Sequence, residues 1–102
     1  MSPSETKKPL FDLGQVLATP SALEALQDAG QQPHEFLIRH LTGDWGDLDQ
    51  EDKAQNDAAL IDGSRLLSAY QTRKGERIWI ITEAADDQGH RSSSTLLLPR
   101  DY

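Results

Sequence analysis

Three N-terminal helices followed by a three-stranded antiparallel β-meander, an α+β fold, are what this sequence predicts. Three observations lead there. Apolar residues recur at helical spacing up to Gly63, alternating and β-branched runs replace them afterwards, and a glycine closes each helical segment. The length of 102 residues fits one domain. Residues 1 to 9, rich in Ser, Pro and Lys, read as a flexible tail, and residues 10 to 102 as a single α+β domain.

The short stretch Gln15-Val16-Leu17-Ala18 reads either as a strand or as an apolar lead-in. Thr19 as N-cap and Pro20 at the first helical position start helix one, and Ser21 with Glu24 offers a capping box two residues later. Leu23 and Leu26 form its apolar face, backed by Ala22, Ala25 and Ala29, and Gly30 closes it. Helix two begins at Gln32-Pro33, pairs Phe36 with His40 and Leu37 with Leu41 at a spacing of four, and ends at Gly43. A turn through residues 43 to 52 leads into helix three. Asp49 caps it, Glu51 and Asp52 suit the positive end of its dipole, Ala54, Ala58 and Ile61 are its expected core face, and Gly63 stops it. Beyond Gly63, Leu66, Ser68 and Tyr70 alternate with Leu67, Ala69 and Gln71. The turn Arg73-Lys74-Gly75-Glu76 leads to Ile78-Trp79-Ile80-Ile81-Thr82, and Asp86-Asp87-Gln88-Gly89 leads to Ser94-Thr95-Leu96-Leu97-Leu98.

Composition removes several classes of function. Without cysteine there is no disulfide, thiolate nucleophile or Cys-ligated zinc. No stretch approaches the roughly 18 apolar residues of a membrane span, and the first residues lack the apolar run of a signal peptide, so the cytoplasm is the expected compartment. Seventeen acids against ten bases give a net charge of −7, which disfavours direct nucleic-acid binding.

The charge is unevenly placed. Residues 12 to 62 hold eleven acids and two bases, a local balance of −9, whereas residues 63 to 102 come to +1. A negative surface of this kind either keeps a small domain in solution or docks on a cationic groove built for nucleic acid. The densest acids are Asp44, Asp47, Asp49, Glu51 and Asp52. Counted from Asp47 as a calcium loop, the sixth position is Asp52 and the twelfth Ala58, so the turn glycine and closing glutamate are both missing. No metal or other cofactor is expected. Trp45, between two Gly-Asp pairs, is either an exposed anchor for a partner or a cap on the core.

No nucleophile motif or phosphate loop is present. His34 and His40 lie six apart, off a common helical face, and His34 and His90 are expected to be exposed. His40, Asp44 and Tyr70 are the nearest approach to an acid–base set, and Arg65, Arg77, Tyr70 and His40 to a toxin-like ribonuclease.

Gly43-Asp44-Trp45-Gly46-Asp47, Glu51-Asp52, Arg65-Leu66-Leu67-Ser68-Ala69-Tyr70, Ile78-Trp79-Ile80-Ile81-Thr82-Glu83 and Leu97-Leu98-Pro99-Arg100-Asp101-Tyr102 together resemble a family of small uncharacterised proteins called plasmid-related proteins. The resemblance runs from about Phe11 to Tyr102 and departs at the longer loop from Ala85 to Arg91. It implies carriage on a mobile genetic element and supplies no catalytic residues. The resulting expectation is a non-enzymatic, acidic inhibitor of a host nucleic-acid-binding defence complex, of anti-CRISPR or antirestriction type. Its partner would be a protein with a basic surface, with neither nucleic acid nor membrane bound directly, and the chain itself a monomer or small homo-oligomer. Asp44, Trp45, Asp47, Asp49, Glu51 and Asp52 are the expected contacts. A toxin-like ribonuclease and an accessory or regulatory protein for plasmid maintenance are the alternatives.

Overall fold

The computed structural model describes residues 8 to 102, so most of the expected tail, residues 1 to 7, lies outside the described residues. In chain order the elements are β1 (Gln15–Ala18), α1 (Pro20–Asp28), α2 (Pro33–Leu41), α3 (Gln50–Asp62), β2 (Leu66–Gln71), β3 (Arg77–Thr82) and β4 (Ser93–Leu97), with a closing 3₁₀ turn at Pro99–Asp101. The helix starts follow the capping chemistry of the sequence. Ala22 N donates to Thr19 Oγ1 (3.2 Å), Gln32 N to Glu35 Oε2 (2.9 Å) and Asp52 N to Asp49 Oδ1 (2.8 Å).

The sheet corrects the predicted three-stranded antiparallel meander. It has four strands in the order β1-β4-β3-β2, and it is mixed, because β1 pairs parallel to β4 while the other two pairings are antiparallel. The β-structure therefore begins ahead of the helices, and α1 to α3 carry the chain from β1 at one edge of the sheet to β2 at the other. Four residues are too few for a period to declare itself, so only the tertiary pairing identifies β1 as a strand. Gly14 permits that pairing. Its φ is +65°, and a Cβ there would stand 2.3 Å from Arg91 O.

The inward face of the sheet carries Tyr70, Ile78, Ile80 and Leu96, packed against Ala22, Ala25 and Leu26 of α1 and Phe36 and Leu37 of α2. A smaller cluster joins Trp45, Ala59 and Leu66, with Phe11, Leu48 and Leu60 against it. The expected core face of α3 is overturned: Ala54, Ala58 and Ile61 are exposed, Ile61 by 90%, and Asn56 and Ala59 are buried instead. The reason is where α3 lies. It runs beside the outer edge of β2 rather than across an apolar face, so its inward position is chosen by the hydrogen bonds that the edge needs.

That edge is closed group by group. Asn56 Nδ2 donates to Leu67 O (2.6 Å) and Leu67 N donates to Asn56 Oδ1 (3.1 Å), so the amide acts as a one-residue strand. Farther along, Asp47 N donates to Ala69 O (2.7 Å) and Ala69 N to Trp45 O (3.2 Å). An exposed edge is an aggregation hazard, and this arrangement removes it. Asn56→Ala should cost about 2 kcal/mol by leaving a strand donor and acceptor unpaired, and should promote aggregation. Urea unfolding and light scattering check both effects.

Candidate functional site

The turn between α2 and α3 is fastened to the domain by its backbone and by its aromatic residue. Thr42 Oγ1 donates to Ile38 O (2.7 Å) and Asp44 N to Arg39 O (2.8 Å), which finishes α2. Tyr70 OH donates to Asp44 O (2.6 Å), and burial pushes that phenol's pKa upward. Trp45 is 4% exposed; its ring lies 6.4 Å from Phe11 and 5.7 Å from His40, and its Nε1 donates to Asp57 Oδ1 (3.1 Å). Of the two readings of Trp45, the cap on the core is the one the structure shows, so it is not an exposed contact for a partner. An indole fills the gap between the α2 face and Ala59 better than the small residues around it, so it faces inward.

With Trp45 inside, the carboxylates beside it are displayed. Asp44, Asp47, Asp49, Glu51 and Asp52 are all exposed. Asp44 pairs with Arg39 (Nε to Oδ2, 2.7 Å), the single ion pair among the described residues. The Asp49 carboxylate caps α3. Asp47, Glu51 and Asp52 form no ion pair with a described residue. More acids follow along α3, where Asp57 and Asp62 are exposed and Lys53 is the one base. The helix that carries them has thirteen residues and is about 20 Å long, and its acids are spread around it.

At the far end of α3 is a cavity of about 350 Å³. Phe11, Leu60 and Ile61 contribute apolar wall, and Asp12, Asp62, Asp86 and Asp87 contribute carboxylates. Hydrogen bonds from Ser64 hold the Asp62 carboxyl below the usual range, and backbone amides of His90 and Gln88 do the same for Asp86. Among the described residues no group of three or more His, Cys, Asp or Glu side chains is placed to hold a metal ion. No helix among the described residues is long and apolar enough to cross a membrane.

The ribonuclease set is split across the sheet, and in the acid–base set Tyr70 meets Asp44 at its backbone carbonyl while the Asp44 carboxylate pairs with Arg39. His40 and Tyr70 are buried on the inward face, whereas Arg65 and Arg77 are exposed and take the opposite side of the sheet by strand alternation. His40 is the centre of a buried polar chain: Nδ1 lies 2.5 Å from Ser68 Oγ, Nε2 lies 2.8 Å from Thr82 Oγ1, Thr82 Oγ1 lies 2.7 Å from Ser94 Oγ, and Ser94 Oγ donates to Leu13 O (2.8 Å). Each hydroxyl has one proton. Ser94 donates to the carbonyl, so Thr82 donates to Ser94 and His40 Nε2–H donates to Thr82. Burial, aided by the charge of Arg91, lowers the ring's pKa to about 3, so at neutral pH the ring is uncharged with its proton on Nε2, and Ser68 donates to Nδ1.

Three structural residues escaped sequence reasoning. Arg91 is 5% exposed and donates to Ser64 O (2.7 Å), Glu83 O (3.0 Å) and Ala59 O (3.1 Å), which ties the loop before β4 to the end of α3. Asn56 closes the β2 edge, and Ser68 belongs to the His40 chain. One signal was present: Ser68, Thr82 and Ser94 fall at inward positions of apolar strands, where hydroxyls need a buried partner.

No family model, no curated protein and no solved structure matches this chain.

Proposed function

We propose that this protein acts by binding, and that the α2–α3 turn with the first turns of α3 docks on a basic, nucleic-acid-binding surface of another protein. The observation that carries the reading is the display of Asp47, Asp49, Glu51 and Asp52, none of which forms an ion pair with a described residue. An internal lattice of ion pairs would have consumed that charge, and the Arg39–Asp44 pair, the one found among the described residues, leaves it outward. Such a face speeds encounter with a cationic groove and competes there with phosphates. The resemblance to proteins of mobile genetic elements narrows the partner to a host defence complex that handles nucleic acid, with inhibition as the outcome. Asp44 is secondary in this scheme because Arg39 engages it, and Trp45 supports the turn from within.

The test is affinity capture from host cells with the wild type and with a fourfold amide variant, Asp47→Asn, Asp49→Asn, Glu51→Gln and Asp52→Asn. Asparagine also caps helices, so the variant should keep its fold, with each change costing under about 0.5 kcal/mol. Wild type should retain a basic protein that the variant loses, and added duplex DNA should displace it. Equal capture by both proteins would remove this face from the site.

A further inference from the structure

The two edges of the sheet are treated differently. The β2 edge is closed by Asn56, Trp45 and Asp47, whereas nothing among the described residues pairs with the outer edge of β1. Gln15 N donates to Ser92 O and Thr19 N to Leu96 O (3.0 Å each), so the odd-numbered amides of this segment point toward β4. Val16 and Ala18, between them, turn their N–H and C=O groups to the open side. The side chains there are apolar and accessible: Val16 is 47% and Leu17 42% exposed. No residue from Gln15 to Ala18 is charged, although the surrounding half of the chain is strongly acidic. Natural proteins blunt solitary edges by shortness, charge, proline or a bulge; β1 is short, at four residues, but carries no charge, proline or bulge.

We propose that β1 pairs with β1 of a second copy, antiparallel about a two-fold axis at Leu17, to make one continuous eight-stranded sheet. The segment is complementary to itself. In that register Val16 faces Ala18 of the other copy twice, each a hydrogen-bonded pair that exchanges both backbone bonds, with a larger side chain opposite a smaller one. Leu17 meets its own counterpart in the closely spaced, non-hydrogen-bonded position. A charged partner strand would gain nothing from this neutral edge, whereas an identical one brings no like charges into the contact itself. The short strand makes a weak, concentration-dependent dimer. Because each copy has a net charge of −7, added salt strengthens this association, while it weakens docking of the acidic face on a basic partner. The two proposals therefore fail separately.

The chain lacks cysteine, which allows a direct test with Leu17→Cys and a control, Gln71→Cys, on an exposed position of β2. Close antiparallel pairs fall within disulfide reach, so L17C should form a covalent dimer under mild oxidation about tenfold faster than Q71C. Sedimentation equilibrium of the wild type from about 10 µM to about 1 mM should show the mass rising toward twice the monomer, more so at high salt. Leu17→Lys should stay monomeric even though it lowers the net charge. Equal crosslinking of L17C and Q71C, a wild type that remains monomeric throughout, or an edge that takes up a strand of another protein without self-association would overturn the proposal.

Discussion

Gly46→Ala should abolish the native fold or lower its melting temperature by about 20 °C or more, whereas Gly75→Ala should lower it by about 5–10 °C. Both glycines have left-handed backbones, with φ of +78° and +87°. Their surroundings separate them. A Cβ on Gly46 would stand 2.0 Å from Ala69 O and under 3 Å from two ring carbons of Tyr70, and nothing lies within 4 Å of one on Gly75. The left-handed conformation alone costs an alanine roughly 1–2 kcal/mol, which both variants bear. At Gly46 the clash is with backbone, so relief requires the α2–α3 turn to lift off β2. That breaks the Asp47–Ala69 and Ala69–Trp45 bonds and withdraws Trp45 from its cluster. The total should reach about 4 kcal/mol or more, against a stability for a domain of this size of about 5–15 kcal/mol. Thermal unfolding followed by circular dichroism decides it. Similar losses for the two variants would mean that the turn is not seated on the sheet by this contact.

Acidification from pH 7 to pH 4 should cost about 3 kcal/mol of stability through His40 alone. In the unfolded chain this imidazole titrates near its ordinary value of 6.5, and in the folded protein burial lowers it to about 3. The unfolded state therefore binds the extra proton first. The stabilisation is fully present above about pH 6.5 and is lost progressively as the pH falls toward 3. A protonated ring would also donate from Nδ1, where Ser68 is now the donor, so the Ser68 hydroxyl would have to turn and accept, while the chain from Nε2 to Leu13 keeps its direction. The carboxyls held low by hydrogen bonds, Glu35, Asp62, Asp86 and Asp101, titrate below the ordinary carboxylate range, and their losses fall at more acidic pH. Urea midpoints at pH 7, 5.5 and 4 for the wild type and for His40→Gln isolate the effect. The wild type should lose stability steadily over this range and the variant should lack that slope. Parallel slopes would assign the acid sensitivity to other groups.

The helices were legible because their ends are written in local chemistry. Thr19-Pro20, Gln32-Pro33, Asp49 and Gly63 act within a turn of where they stand, and the structure places each helix terminus beside them. Strands β2 to β4 were legible because each is long enough to alternate. What escaped is non-local. β1 becomes a strand only through Ser92 to Leu96, some 80 residues away, and the resulting sheet is mixed. The inward face of α3 was misread because apolar spacing was consulted while the deciding contact was an amide against a strand edge. At the candidate site, the acids were visible as composition, but whether lysines and arginines would fold back on them was not. Only the positions of Arg39, which takes Asp44, and Arg91, which turns to three carbonyls, show where those cations go.

The account rests on the outward carboxylates of the α2–α3 turn and α3 attracting a cationic groove. The most direct measurement is the affinity of the captured partner as a function of salt, by calorimetry, for the wild type and the fourfold amide variant. The account predicts that wild-type affinity falls steeply and linearly in log–log form as salt rises, and that the variant binds more weakly with a shallower slope. Wild-type affinity that does not respond to salt, or a slope that the four amides leave unchanged, would contradict it.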